Sequence, residues 1–326
     1  MMDRSLLDVI GLRKYFPLRR GLFSRVKGFV KAVDGVTFTV REGEVVGLVG
    51  ESGCGKTTLG RTVLRLIEPT SGDILFRGKS ILKLKGKEMR GMRRHMQMIF
   101  QDPYSSLNPR MTLGDLVEEG LKIHGLMSGE ERNKKVRDLL DRVGIPSSYI
   151  DRYPHELSGG QRQRIAIARA IALNPSFIVC DEPVSALDVS IQSQILNLLM
   201  ELKEEMNLSY LFISHDLSVV KHMSDRVMVM YLGEIVESAR ADELYAEPKH
   251  PYTLALMSAI PMLEPNTGRR RILLQGDPPS PVNPPEGCRF HPRCPEAMDI
   301  CKTVPPPDVE ISPGHRVRCH LHVAAG

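Results

Sequence analysis

Two glycine-rich stretches carry the residue types that could handle a nucleotide. The first runs from Gly50 to Thr57 and has two glycines separated by four residues, followed by Lys56 and Thr57. This spacing is the phosphate-loop pattern, in which backbone N–H groups cradle phosphates, the lysine reaches the outer phosphates and the hydroxyl reaches magnesium. The second stretch runs from Leu157 to Gln161 and reads LSGGQ.

The elements that flank the first stretch suit that chemistry. Glu44 to Val49 is a short apolar run that predicts a buried strand. Apolar residues then recur at helical spacing from Leu59 to Ile67, until Pro69 ends the pattern. A strand, a glycine loop and a helix N-terminus together direct N–H groups and the positive end of a helix dipole at one point, where a triphosphate can bind.

Acidic residues follow another predicted core strand. Phe177 to Cys180 is apolar and leads into Asp181 and Glu182. In phosphoryl transfer one acid at such a strand end helps to hold magnesium, and a second group orients or deprotonates the attacking water. The apolar run Tyr210 to Ile213 is expected to deliver His215 to the same edge of an open α/β sheet, where ligands bind.

The order of these motifs resembles the ATP-binding subunits of ABC transporters over about the first 250 residues. The resemblance implies that LSGGQ binds the ATP of an opposite subunit in a head-to-tail dimer. It implies catalytic roles for Glu182, His215 and Gln101, with magnesium held by Thr57, Gln101 and Asp181. An aromatic residue would stack on adenine, either Phe16 or its neighbour Tyr15. The nucleotide-binding set implied in this way is Phe16, Gly50, Ser52, Gly53, Cys54, Gly55, Lys56, Thr57, Thr58, Ser158, Gly159, Gly160, Gln161 and Asp188.

A finer resemblance reaches nearly the full chain. The stretches 100–109, 153–157 and 250–253 and the whole tail are similar to the ATPases of bacterial oligopeptide and dipeptide importers. This implies ATP hydrolysis that drives peptide import, with two integral-membrane permease subunits, a second ABC ATPase subunit (the same or a related chain) and, indirectly, a peptide-binding protein as partners. The alternatives are a soluble ABC ATPase that acts on nucleic acid or ribosomes, and a regulatory subunit that binds ATP with little turnover.

The tail has a different composition from the rest of the chain. It holds 13 of the 23 prolines, from Pro261 onward, and four of the six cysteines, Cys288, Cys294, Cys301 and Cys319. Disulfides are disfavoured in a cytosolic chain, so a shared metal site is the natural interpretation, although paired Cys-x-x-Cys knuckles typical of zinc are absent. Similarity to importer ATPases with such tails favours a [4Fe-4S] cluster over Zn²⁺, and unligated thiols are the third alternative.

Composition and the resemblance together define the expected architecture. The chain has 44 basic and 39 acidic residues, so its net charge of +5 does not point to a nucleic-acid partner. No apolar run is long enough for a membrane span, and the start lacks the apolar core of a signal peptide, which predicts a peripheral protein on the cytoplasmic face of the membrane. The resemblance implies an α/β, RecA-like P-loop ATPase core at 1–260, with a small antiparallel β subdomain and an α-helical signature subdomain at about 100–165. An irregular Pro/Cys-rich, metal-binding extension is expected at 261–326. The basic stretch 18–31 is expected to be an exposed, solvated loop of the small β subdomain, with contact to lipid headgroups as the alternative.

Overall fold

The protein is described by a computed structural model that covers residues 5–20, 25–259 and 272–323. The strands of these residues are β1 (Ser5–Arg20), β2 (Arg25–Arg41), β3 (Val45–Val49), β4 (Ser71–Phe76), β5 (Lys79–Ser80), β6 (Met96–Ile99), β7 (Phe177–Asp181), β8 (Ser209–Ile213), β9 (Arg226–Tyr231), β10 (Glu234–Arg240), β11 (Val309–Ser312) and β12 (His315–Val317). The α-helices are α1 (Lys56–Val63), α2 (Gly86–Arg93), α3 (Pro103–Ser106), α4 (Leu113–Ile123), α5 (Gly129–Arg142), α6 (Gly159–Ile171), α7 (Val189–Met206), α8 (Leu217–Met223), α9 (Ala241–Ala246) and α10 (Pro251–Ser258). Among the residues covered, none of the helices is both long and apolar enough to cross a membrane.

The chain divides into two compact units. The first consists of Met1–Leu6, Val40–Glu44 and Lys83–Phe212, and the second of Leu7–Thr39, Val45–Leu82 and Ile213–Gly326. The cysteine-rich tail therefore belongs to the same compact unit as the phosphate loop.

The first unit combines three strands with most of the helices. Its strands lie in the order β8-β7-β6, and β6 runs parallel to β7, with Met96 opposite Phe177 and Ile99 opposite Cys180. Helices α4 and α5 pack through a shared apolar face, as the helical spacing in the sequence predicts. The residues that form this face, all buried, are Leu116, Val117, Leu121, Val136, Leu139 and Leu140.

The second unit contains two groups of strands. One sheet has the order β2-β1-β4-β5, with β4 antiparallel to both β1 and β5, which is the small antiparallel β subdomain expected. The other strands follow the order β11-β12-β10-β9-β3. Of these, β3 is parallel to β9, and the pairs β9 with β10, β10 with β12 and β11 with β12 are antiparallel.

Three sequence-based expectations about local structure are wrong. Helix α1 ends at Val63 instead of continuing to Ile67, because Arg65 adopts a left-handed backbone conformation with φ of 51°. The stretch 18–31 is mostly strand where it is described, since β1 continues to Arg20 and β2 begins at Arg25. The tail is not wholly irregular: β12 has the alternating burial of a half-buried strand and extends the sheet beyond β10.

Candidate functional site

The phosphate loop joins the end of β3 to the start of α1, as predicted. Three of its glycines have left-handed or otherwise unusual backbone conformations, with φ of 152° at Gly50, 79° at Gly53 and 113° at Gly55. A Cβ atom at Gly50 would lie 2.2 Å from the carbonyl oxygen of Met230, and one at Gly55 would lie 2.0 Å from that of Ala32. Glycine is therefore required at both positions by backbone packing as well as by conformation.

Lys56 is the first residue of α1 and is almost fully buried. Its Nζ donates hydrogen bonds to the carbonyl oxygens of Gly50, at 2.7 Å, and Glu51, at 3.0 Å, and lies 3.8 Å from the Cys54 sulfur. The ammonium group is thus held inside the curve of the loop. A phosphate that entered this curve would exchange these neutral carbonyl partners for a charge-assisted one.

The other loop residues proposed to bind the nucleotide differ in how far they are buried. Ser52 and Gly53 are exposed at its crest, whereas Thr57 and Thr58 are half-buried in the first turn of α1. Gly55 is the N-cap of α1 and supplies no side-chain cap, so no side chain competes with an anion for that role. Cys54 is buried, and burial raises the pKa of its thiol, which makes it a packing residue rather than a nucleophile.

His215 lies in the second unit, in the short segment that follows β8. Its side chain is exposed, while its neighbour Ser214 is buried. The Ser214 backbone N–H donates to the carbonyl oxygen of Leu48, at 3.2 Å, and the Asp216 carboxylate caps α8. The structure therefore places His215 one residue from a direct contact with β3, the strand from whose end the phosphate loop starts.

The two aromatic candidates for adenine stacking on β1 are distinguished by their contacts. The Tyr15 hydroxyl donates to Asp34, at 2.5 Å, and burial together with this hydrogen bond raises the pKa of Tyr15 to about 12. Phe16 is half-buried and has Lys14 Nζ 4.9 Å from its ring centroid. The hydrogen bond to Asp34 fixes the orientation of Tyr15, whereas the Phe16 ring is held by a weaker cation–π contact with Lys14, which favours Phe16 over Tyr15 for adenine stacking.

In the first unit, the end of β7 brings together three predicted site residues. Asp181 is the last residue of the strand and is fully buried. Glu182 follows with a left-handed φ of 48°, a conformation that is costly for a non-glycine residue and typical of functional sites. The Gln101 side-chain amide donates to the Glu182 carboxylate, with 3.0 Å between Nε2 and Oε2. An amide and a carboxylate paired in this way can position a water molecule between them.

The LSGGQ string forms the start of α6. Ser158 and Gln161 make a capping box: the Ser158 hydroxyl accepts from the Gln161 N–H at 3.3 Å, and the Gln161 side chain accepts from the Ser158 N–H at 3.0 Å. Gly160 faces α7, where an added Cβ would lie 2.5 Å from Ile191 Cγ2. Sequence reasoning assigned these residues to nucleotide binding alone and missed that the same side chains cap and pack the helix.

Two further residues, Asp188 and Arg162, lie in the same compact unit as this string. Asp188 is exposed at the N-cap of α7 and makes no side-chain cap hydrogen bond. Arg162 is buried, donates from Nε to the Pro154 carbonyl at 2.7 Å, and lies with its guanidinium carbon 3.9 Å from the Tyr104 ring centroid. Arg162 thereby joins the stretches 100–109 and 153–157, which the sequence singled out separately.

The four tail cysteines are all free thiols in the second unit. Cys288, Cys301 and Cys319 are buried and Cys294 is half-buried. Burial raises the pKa of Cys288 and of Cys294 to about 11, and electrostatic repulsion among the four thiols adds to these shifts. Within residues 5–20, 25–259 and 272–323, no three His, Cys, Asp or Glu side chains form a group that could hold a metal ion. The predicted metal site in the tail is therefore not found.

Sequence reasoning also missed the residues behind the phosphate loop. Glu51 of the loop pairs with Arg293, which lies 242 positions away, and its N–H donates to the Tyr252 hydroxyl at 2.9 Å. The stretch 250–253, which contains Tyr252, carries part of the resemblance to importer ATPases, but no local pattern indicates contacts at this separation.

Comparison with known proteins gives two matching family models. Residues 33–185 match the model described as "ABC transporter". Residues 236–301 match the model described as "Oligopeptide/dipeptide transporter, C-terminal region". The first match covers the phosphate loop, the LSGGQ string and the acidic strand end, and the second reaches into the cysteine-rich tail.

Curated relatives are similar along almost the whole chain. The oligopeptide transport ATP-binding protein AppF of Bacillus subtilis (strain 168) is 56% identical over 323 residues, 98% of each chain. A putative peptide import ATP-binding protein of Brucella ovis is 54% identical over 319 residues, again 98% of each chain.

Solved structures resemble the nucleotide-binding part. The ATP-binding cassette MJ0796, a dimer in a post-hydrolysis state with ADP and Pi, aligns with a TM-score of 0.64 and 31% identity over 72% of this chain and 98% of that one. The protein cbiO1 of Clostridium perfringens, part of the cbiONQ transporter complex, aligns with a TM-score of 0.64 and 29% identity over 75% of this chain and 92% of that one.

Proposed function

This chain belongs to the ABC transporter family, as an ATP-binding subunit of oligopeptide and dipeptide importers, and on that premise we propose how its residues share the work of hydrolysis. It is an ATPase that binds and hydrolyses ATP to drive peptide import. ATP would occupy the phosphate loop of one subunit and be closed off by the LSGGQ string of the opposite subunit, head to tail. The observation that carries this proposal is the phosphate loop itself, whose glycine conformations and buried lysine suit the phosphates of a nucleotide.

Each proposed role follows from a side chain's surroundings. Lys56 would exchange its carbonyl partners for the outer phosphates, and the N–H groups of Ser52 to Thr58 would bind the remaining phosphate oxygens. Phe16 would stack on adenine. Thr57, Gln101 and Asp181 would hold Mg²⁺, which would neutralise charge on the phosphates.

The proposed hydrolytic step depends on the pair at the end of β7. Glu182 would accept a proton from the attacking water, and the Gln101 amide, already bonded to that carboxylate, would fix the position of the water. His215 would contact the terminal phosphate from the phosphate-loop side. Ser158, Gly159, Gly160 and Gln161 would bind the partner subunit's nucleotide through backbone N–H groups at the start of α6, with Asp188 near the dimer interface.

Partners and location follow from the family. We propose that two of these ATPase subunits, identical or related, bind two integral-membrane permease subunits at the cytoplasmic face of the membrane, and that a peptide-binding protein supplies the peptide. The helical subdomain around α4 to α6 would contact the permeases. The proposed domain division is a nucleotide-binding domain at 1–260 and a cysteine-rich domain at 261–326.

A complementation experiment tests the head-to-tail arrangement. The Lys56→Ala variant lacks the ammonium group of the phosphate loop, and the Ser158→Arg variant has a bulky side chain at the LSGGQ string. Each variant alone should therefore have no ATPase activity in a transporter reconstituted with its permeases. Co-expression of the two variants rebuilds one intact composite site in a mixed dimer and should restore part of the ATPase rate. Absence of any recovery, with mixed dimers confirmed by tag-based purification, would rule out sites shared between two copies of this chain.

The tail cysteines support a separate proposal, a [4Fe-4S] cluster held by Cys288, Cys294, Cys301 and Cys319. Burial opposes ionisation of these thiols, and the thiolates would repel one another, so a compensating cationic group is needed if all four are to ionise. A four-iron cluster holds its thiolates farther apart than a single ion does, so the lack of a single-ion group among the described residues counts against Zn²⁺ more than against the cluster. Anaerobically purified protein should contain about four iron and four sulfide per chain. Stoichiometric zinc, or neither metal, would overturn the proposal.

A further inference from the structure

An arginine of the tail holds the phosphate loop by its second residue. Arg293 ends a short helical turn, His291–Arg293, in the cysteine-rich segment. Its guanidinium binds both carboxylate oxygens of Glu51, with Nη1 to Oε2 at 2.7 Å and Nη2 to Oε1 at 2.9 Å. The Arg293 side chain is only 6% exposed and that of Glu51 is 27% exposed. A bidentate, largely desolvated pair of this kind is directional and among the stronger polar contacts that proteins make.

The backbone of the same loop residue is fixed by the same part of the fold. The Glu51 N–H donates to the hydroxyl of Tyr252, whose ring is completely buried. Tyr252 packs on Phe290, with ring centroids 5.4 Å apart, and on Tyr231, at 4.7 Å. Phe290 precedes Arg293 by three residues, so one aromatic cluster positions both the hydroxyl and the guanidinium that hold Glu51.

A second arginine of the tail, Arg289, holds the turn between β9 and β10, which contacts the phosphate loop. The Cys54 carbonyl at the far side of the loop accepts from the Gly233 N–H at 2.9 Å. Arg289, in the same tail segment, donates to the adjacent Leu232 carbonyl at 2.6 Å and also pairs with Asp34. The tail thus contacts the phosphate loop directly at Glu51 and indirectly through the turn between β9 and β10.

Charge gives these contacts a consequence for nucleotide binding. A carboxylate on a loop that receives a triphosphate opposes binding unless a cation neutralises it. The Arg293 guanidinium supplies that cation, because it binds both oxygens of the Glu51 carboxylate. Without Arg293, the loop would lose both a fixed geometry and this neutralisation.

We propose that Arg293 is a positioning residue for the phosphate loop, through which the C-terminal segment sets the affinity of the subunit for ATP. The inference rests on the assignment of Gly50 to Thr57 as the ATP site. It concerns ground-state binding, because Arg293 acts on the loop rather than on the reacting atoms. Its loss should therefore raise the KM for ATP and the Kd of a fluorescent ATP analogue, with little change in kcat at saturating ATP.

The test is a double-mutant cycle with equilibrium titration of the fluorescent ATP analogue. We expect Arg293→Ala to raise the Kd about tenfold, the usual size of a lost charge-assisted bidentate contact. Adding Glu51→Gln removes the uncompensated carboxylate and should bring the Kd back to within about threefold of the wild type. The matched control is Arg316→Ala, since Arg316 is a tail arginine that is paired with Asp308 but does not touch the loop. It should leave the Kd unchanged.

Two results would overturn the inference. One is an unchanged Kd in Arg293→Ala. The other is a double variant whose change in binding free energy equals the sum of the changes in the two single variants. If Arg293→Ala does not fold, by circular dichroism and thermal melting, Arg293→Gln takes its place in the cycle. The Lys56→Ala variant separates the two levels: if it binds the analogue as the wild type does, the ATP site itself is misassigned. If it does not bind while Arg293→Ala binds normally, only the role of Arg293 is wrong.

Discussion

The Gln101 side-chain amide donates to the carboxylate of Glu182 across 81 positions of sequence, with 3.0 Å between Nε2 and Oε2. This contact joins the segment after β6 to the end of β7, and it places an amide donor on a carboxylate whose backbone is left-handed. A carboxylate fixed by its backbone and by a neighbouring amide loses little entropy when it orients a water molecule. The pair is therefore the natural target for a test of the hydrolytic step.

We expect Glu182→Gln to lower ATP turnover by about a hundredfold or more, since a general base typically contributes that much. ATP binding should persist and dimers should accumulate, because the ATP-bound dimer no longer hydrolyses its nucleotide and so does not dissociate. Turnover is measured by phosphate release and dimerisation by size-exclusion chromatography with ATP. Glu204→Gln, an exposed carboxylate on α7, is the matched control and should behave as the wild type. Full-rate hydrolysis by Glu182→Gln would remove Glu182 from the base role.

Arg162 offers a test of how α6 is held in the first unit. Replacing it with Ala removes the hydrogen bond to the Pro154 carbonyl and the cation–π contact with Tyr104. The loss should lower the free energy of unfolding by about 2 kcal/mol. Urea denaturation measures the change, with Arg137→Ala, an exposed arginine on α5, as the control. Stability equal to that of the wild type would mean that the contact between the two stretches contributes nothing.

The structural role of Gly160 can be separated from its proposed role in nucleotide binding. Gly160→Ala forces a Cβ to within 2.5 Å of Ile191 Cγ2 and should destabilise the protein by about 1–3 kcal/mol. The second change Ile191→Ala removes the clashing methyl group and should recover part of that stability. Gly129→Ala, where an added Cβ meets nothing within 4 Å, is the control. If the double variant loses as much stability as the two single changes added together, or more, the clash with Ile191 is not the cause.

Local patterns and long-range contacts differ in how far they could be predicted. The phosphate loop, the strand ends at Asp181 and His215 and the helical apolar face of α4 and α5 follow from short-range spacing, because each is built within one or two elements. The pairing of Glu51 with Arg293 joins residues from opposite ends of the chain, and no periodicity encodes it. The strand β12 is not predicted from the sequence, because the prolines near it predict irregular structure and its three alternating residues are too few to indicate a strand.

A second long-range pair joins His315 of β12 to the buried Glu237, 78 positions earlier in the chain. His315 Nε2 lies 2.8 Å from Glu237 on β10, and its Nδ1 lies 3.2 Å from Glu243. Burial lowers the pKa of His315, but the two carboxylates outweigh burial and raise it above the ordinary value of 6.5. Burial likewise raises the pKa of Glu237, but the hydrogen bonds from His315 and its other neighbours outweigh it and lower the pKa below 4.5. Both pKa shifts favour the charged forms, so His315 of the tail and Glu237 of β10 form an ion pair at pH values below the raised pKa of His315.

The sign of the pH dependence follows from these two shifts. Because the folded pKa of His315 is raised, its contribution to stability is complete below about pH 6.5 and is lost as the pH rises through the folded pKa. The contribution of Glu237 is present above its ordinary pKa and is lost only as the pH falls through the lowered value. We expect His315→Gln to be less stable than the wild type near pH 6 and to approach it near pH 9, in urea denaturation followed across that range. His222→Gln, an exposed histidine on α8, should leave the profile unchanged. A stability difference for His315→Gln that is constant with pH would show that His315 packs as a neutral side chain.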